Sequence, residues 1–150
     1  MPVSATLGEI LLAPEVTPSV IADCCALIEQ EVGDKSGASG AAIKVAFKTV
    51  TSFAPGYYRG RVADLLPQFV AALEPFWQDF GASGGPGFGE YLVKRGDEVA
   101  QAMLAVTDAE AEKSGRPVIV KAYRAVRGNA AHHIEAALPR VGDLVAKYAG

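Results

Sequence analysis

Cysteine, histidine and tryptophan are scarce in this chain of 150 residues, with two, two and one, and the few present are poorly placed for chemistry. Cys24 and Cys25 are neighbours, so a disulfide between them would distort the peptide inside an apolar, helix-like stretch; two reduced core thiols are expected instead. His132 and His133 are also adjacent, and no second carboxylate–histidine pair occurs elsewhere to complete a metal site. No apolar run approaches the roughly 18 residues needed to span a bilayer. The opening Met-Pro-Val-Ser-Ala-Thr has neither a basic leader nor the apolar core of a signal peptide. A cytoplasmic protein with no membrane partner is the expectation. Charge is sparse too, at 21% of residues and a formal net charge of -3. That excludes a strongly basic nucleic-acid binder and a disordered acidic tail, and leaves nucleic acid an unfavoured partner.

What the chain does have is apolar residues, half of the total, and a pattern that repeats. A chain of this length fits one domain and buries about 68 to 70% of its unfolded surface. Residues 7 to 73 align with 88 to 145 across a connector at 74 to 87. Leu7-Gly8-Glu9-Ile10-Leu11-Leu12 faces Phe88-Gly89-Glu90-Tyr91-Leu92-Val93. Asp34-Lys35-Ser36-Gly37 faces Glu112-Lys113-Ser114-Gly115, Ala46-Phe47-Lys48 faces Ala122-Tyr123-Arg124, and Leu66-Pro67 faces Leu138-Pro139 after Gly56 and Gly128. Apolar spacing within these blocks is helical. Val20, Ile21, Cys24, Ile28 and Val32 form one stripe, answered by Val99, Met103 and Val106. Ile43, Phe47 and Val50 are answered by Ile119, Tyr123 and Val126, and Val62, Leu66, Phe69 and Leu73 by Ile134, Leu138, Val141 and Val145.

The expected fold is therefore an all-α helical bundle forming one domain over 1–150. Its internal tandem duplication gives two three-helix units, each with a short leading helix, in pseudo-two-fold arrangement. Local punctuation predicts Thr17 as an N-cap before Pro18, Gly33 as a left-handed helix end, and a kink or break at Pro67 and Pro139. Pro117-Val118-Ile119-Val120 is β-like in composition, but its place in the repeat predicts helix. The segment with Phe76, Trp77 and Phe80 reads as a helix extension before a glycine-rich connector that lacks the ending of a phosphate loop.

Function is less legible. His132 and Glu135, three apart, can share a helix face and, with His133, offer ligands to a metal or groups to a small enzyme; ordinary solvated polarity is the competing reading. Ser36 and Ser114 fit capping better than nucleophilic roles. Glu9 and Glu90 fit helix first turns better than an acid–base pair. From Lys113 to Arg127 there are five basic residues and no acidic one, with Lys35, Lys44 and Lys48 in the matching part of the first half. Lys121, Arg124 and Arg127 are thus candidates for anion or nucleic-acid contact. Trp77 and Tyr57 lie outside the repeated stripes and are candidates for a partner surface or homodimer contact. No cofactor is implied. A non-catalytic binding or assembly module is the leading expectation.

The stretches Asp34-Lys35-Ser36-Gly37-Ala38-Ser39-Gly40 and Arg116-Pro117-Val118-Ile119-Val120-Lys121-Ala122-Tyr123-Arg124-Ala125-Val126-Arg127-Gly128 resemble a family of actinobacterial proteins of about this chain's length, known as a domain of unknown function. The resemblance covers nearly the whole chain and implies no activity, cofactor or site residue.

Overall fold

The structure is a computed structural model that describes residues 5–83 and 87–149, with only the backbone of Ser83. The described residues form eight helices and no strand: α1 (Leu7–Leu11), α2 (Thr17–Asp34), α3 (Gly37–Thr51), α4 (Tyr57–Ser83), α5 (Phe88–Lys94), α6 (Gly96–Lys113), α7 (Pro117–Arg127) and α8 (Ala130–Ala149). The fold is all-α. The β-like stretch at Pro117 is the first turn of α7. The glycine-rich part of the connector, 84–86, lies outside the described residues.

Helix boundaries follow local hydrogen-bonding needs, with two departures from expectation. At α1, Thr6 and Glu9 form a reciprocal capping box, and the Glu74 carboxylate on α4 accepts from the amides of Leu7 (2.9 Å) and Gly8 (3.4 Å). The free donors of this short helix are thus met partly from another helix. Thr17 is not an N-cap: Val16 holds that position, and the Thr17 hydroxyl donates back to the carbonyl of Ala13 at 2.9 Å. Gly33 does not end α2, which continues to Asp34. Among the described residues the left-handed glycines are Gly37 (φ 74°) and Gly56 (φ 76°), at the entries to α3 and α4, where a side chain would be strained. Of the kink or break expected at Pro67 and Pro139, the break does not occur: α4 and α8 are continuous through Pro67, Pro75 and Pro139. All three prolines lie on exposed faces, so a carbonyl that loses its amide partner can turn to water.

Four long helices form the body. α2 packs on α4, α4 on α6, α6 on α8, and α8 back on α2. Antiparallel pairing of α2 and α8 is fixed at both ends, by Lys147 with Asp23 (2.8 Å) and by Arg140 with Asp34 (2.7 Å). The short helices α1 and α5 close one end of this ring against α4 and α8. The core concentrates there: Leu7, Leu11, Val20, Leu66, Val70, Leu73, Phe88, Leu92, Val99, Leu138 and Val145 form one buried cluster. Trp77 and Phe80 pack against it, with the Trp77 ring edge-on to Phe88 at 5.0 Å.

The opposite end is built differently. There α3 and α7 lie against each other, α3 resting on α2 and α4, and α7 on α6 and α8. Neither helix contributes a residue to the buried cluster or its packed surroundings. The one buried residue of α3 is Gly40, and α7 has none.

Candidate functional site

Beneath α3 and α7 lies a cleft of about 160 Å³ walled by Val50, Leu65, Ile119, Val120 and Tyr123, with Arg61 and Thr107 at its polar side. It exists because helical periodicity turns the apolar stripes of α3 and α7 inward while the side chains opposite are too few to fill the space. Its charged groups are satisfied by one another. Arg61 on α4 donates to Glu110 on α6 at 2.7 Å and also pairs with Asp64. Arg127 grips Asp108 with two nitrogens, at 2.8 and 3.0 Å, and the Tyr123 hydroxyl donates to the same carboxylate. Arg127, and after it Tyr123, hold the Asp108 carboxyl below the usual carboxylate range. Arg127 is thus engaged in structure.

The α2–α8 corner carries a second ionic group. Buried Glu31 accepts from Lys35 at 3.0 Å and from Arg140, which also reaches Asp34. His133 faces this corner half-buried, and its Nε2 is buried with no hydrogen-bond partner among the described residues. Burial, then the nearby Lys35 and His132, push the His133 pKa below its ordinary 6.5, with Glu31 opposing. A base whose folded pKa is depressed favours folding above its unfolded pKa and withdraws that support as pH falls. Stability should therefore decline as pH drops below about 6.5, well before carboxylates such as Asp23 and Asp108 titrate. Thermal melts from pH 7.5 to 5 would register the decline, and H133L should flatten it.

His132, His133 and Glu135 do not converge. His132 is exposed, His133 turns toward Glu31 and Lys35, and Glu135 lies over Gly96 of α6, where an added methyl would meet its Oε1 at 3.0 Å. No group of three or more His, Cys, Asp or Glu among the described residues is placed to hold a metal. Cys24 and Cys25 are free thiols, and burial pushes the Cys24 pKa up to about 11, which makes it a packing residue and a poor nucleophile.

Trp77 donates its indole N–H to the Ala5 carbonyl at 2.8 Å and packs among aromatic rings, so it ties the N-terminal segment to the core. Tyr57 sits at the cleft mouth against the Phe53 ring, with the Arg116 guanidinium over both rings. A second, more open groove of about 640 Å³ runs between α1 and α4 past Gly8, Leu12, Val70 and Glu74. Its carboxylate is the one already capping α1.

Lys121 and Arg124 differ from Arg61, Arg127 and Arg140, which are held in ion pairs, and resemble the exposed Arg59, Lys94 and Lys113. Both are exposed on the outer face of α7 and have no ion-pair partner among the described residues. On the outer face of α3, Lys44 and Lys48 are in the same state. Neither helix contains an acidic residue. Sequence reading placed Lys121 and Arg124, but missed the cross-helix pairs Arg61–Glu110 and Arg140–Glu31, whose partners lie far apart along the chain.

Fold and site together define an all-α bundle with one densely packed end and one cationic, lightly packed end. The chain belongs to the family of unknown function DUF6918, whose model matches residues 7–149. No curated protein and no solved structure matches it. No helix among the described residues is long and apolar enough to cross a membrane.

Proposed function

We propose that this chain is a non-catalytic binding module whose contact surface is the α3/α7 end. The observation that carries the reading is the separation of duties along the bundle. Core packing is assigned to α1, α2, α4, α5, α6 and α8, while α3 and α7 hold four exposed cations without ion-pair partners among the described residues and no acid. Cations left unpaired on a chain with a net charge of -3 form a local field that the bulk charge conceals, and such a field attracts an anionic partner. Nothing comparable favours catalysis, since the charged groups around the cleft are already neutralised by their neighbours. A cytoplasmic location belongs to this reading and is supported by the adjacent reduced thiols.

The same proposal includes an internal duplication, with α1 to α4 and α5 to α8 as copies. Its support is the correspondence of packing partners: α1 on α4 matches α5 on α8, α2 on α4 matches α6 on α8, and α4 on α6 matches α8 on α2. The α3–α7 contact then falls on the pseudo-two-fold axis, so the contact surface is composed of one helix from each copy.

A sulfonate cation-exchange column at pH 7.5 tests the surface. With a sequence pI near 5.4, a protein of evenly spread charge would pass through. The wild type should be retained at low salt, and K121E/R124E, whose sites are exposed and free of structural partners, should elute in the void. Equal elution of the two proteins would remove the α3/α7 end as an anion-binding face.

A further inference from the structure

The outer surface of α3 and α7 combines charge with apolar exposure. Val45 on α3 is 68% exposed and Val118 on α7 is 49% exposed, among the most exposed large apolar side chains described. Val45 adjoins Lys44 in sequence, and Lys48 stands three residues further along α3. On α7, Val118 lies three residues before Lys121, and Arg124 follows three residues after that. Helical spacing of 100° per residue places Val45 within one turn of Lys44 and Lys48, and Val118 within one turn of Lys121. A β-branched apolar side chain held in water gains nothing there, and a cation without a partner gains little, so both are better served by a surface that is anionic and apolar within a few ångströms' depth.

We propose that the α3/α7 end docks on the surface of an anionic lipid bilayer, with Lys44, Lys48, Lys121 and Arg124 against headgroup phosphates and Val45 and Val118 at the headgroup–acyl boundary. Exposed basic residues hold proteins at bilayer surfaces in this way, by electrostatic attraction to anionic headgroups, without spanning. The contact is peripheral, so it departs from the expectation of no membrane partner while agreeing with the lack of a spanning helix among the described residues. Charge complementarity argues against the other occupants. A second copy applied through the same face would set cations against cations. A nucleic acid would use the four cations but not the valines, and Phe53, the aromatic ring exposed at this end, is packed on Tyr57 under the Arg116 guanidinium.

The proposal rests on the α3/α7 end being the contact surface, and the experiment separates the two claims. The full chain is mixed with extruded vesicles of phosphatidylcholine alone or with about one-third phosphatidylglycerol, and binding is read by co-sedimentation. The expected result is binding to the anionic vesicles alone, falling as salt is raised, at least about tenfold weaker in K121E/R124E, and weakened also in V45N/V118N, with the circular dichroism of both variants unchanged. Absence of binding to anionic vesicles overturns the lipid proposal. So does binding of duplex DNA through Lys121 and Arg124 at salt concentrations where vesicles are not bound, which would assign the same cations to nucleic acid. Retention on the sulfonate column without vesicle binding leaves the broader reading standing and removes this one; loss of both removes both.

Discussion

Replacing Gly142 by alanine should destabilise the protein by about 3 kcal/mol, whereas the same replacement at Gly89, its contact partner, should be close to neutral. A Cβ on Gly142 would lie 2.1 Å from the Cα and 2.5 Å from the amide nitrogen of Gly89. Those are backbone atoms of α5, and no rotamer change can move them. The helix must shift as a body, and with it Phe88 and Leu92, which are buried at 4% and 0% exposure. Mid-helix alanine is otherwise favoured over glycine by roughly 1 kcal/mol, so a net loss at Gly142 would have to come from the close approach of the two helices. At Gly89 the nearest neighbours of an added Cβ are at 3.5 and 3.6 Å, ordinary contacts, and Gly89 is the second residue of α5, where the propensity gain is small. In the sequence alignment of the two halves, Gly142 falls opposite Val70, so α1 has no comparable close approach to α4. Thermal or urea melts of the two single variants check the contrast. Equal stability of the two would mean that α5 does not sit on α8 as described.

Leu138→Ala should cost about 2 to 5 kcal/mol. Leu138 is fully buried on the helix that meets α5, α6 and α2, so its removal leaves a cavity that several helices would have to move together to close. For a domain of this size the loss corresponds to a fall in Tm of about 10 °C. Ile119→Ala, on α7, should cost about 1 kcal/mol, because Ile119 is half-buried over a cleft that is already incompletely filled. The pair of measurements compares the two ends of the bundle directly. Similar losses at both positions would contradict the division into a packed end and a lightly packed end.

Much of the fold was readable because helical periodicity survives in nearly every segment. The stripes Leu66 with Leu73 and Leu138 with Val145 became core, and the short leading helices at Leu7 and Phe88 supply its centre. Periodicity reports which face of a helix is apolar, but not what lies opposite it. Hence Ile43, Phe47, Val50, Ile119, Tyr123 and Val126 carry as regular a stripe as the others, yet reach only half-burial, because α3 and α7 are the outermost layer at their end. Leu104 and Val70 are buried although both were outside the stripes read from sequence, since the long helices touch neighbours on two sides. Pro67 and Pro139 do not break their helices, because the cost of a helical proline depends on exposure, which local sequence does not reveal. At the contact surface, Lys121 and Arg124 were visible as part of an acid-free run. Arg127 belonged to the same run, but a carboxylate 19 residues away, Asp108, neutralises it. Val45 gave a usable signal, being apolar and off its own helix's stripe, but a single off-stripe valine means little until its exposure is known.

Hydrogen–deuterium exchange of the intact protein, resolved by segment, tests the central claim most directly. If α1, α2, α4, α5, α6 and α8 form the structural body and α3 and α7 a lightly packed contact layer, amides of α3 and α7 should exchange well ahead of those around Leu66–Leu73 and Leu138–Val145, which should open only with global unfolding. Uniform protection across all the long helices, with α3 and α7 as slow as α4 and α8, would contradict the account.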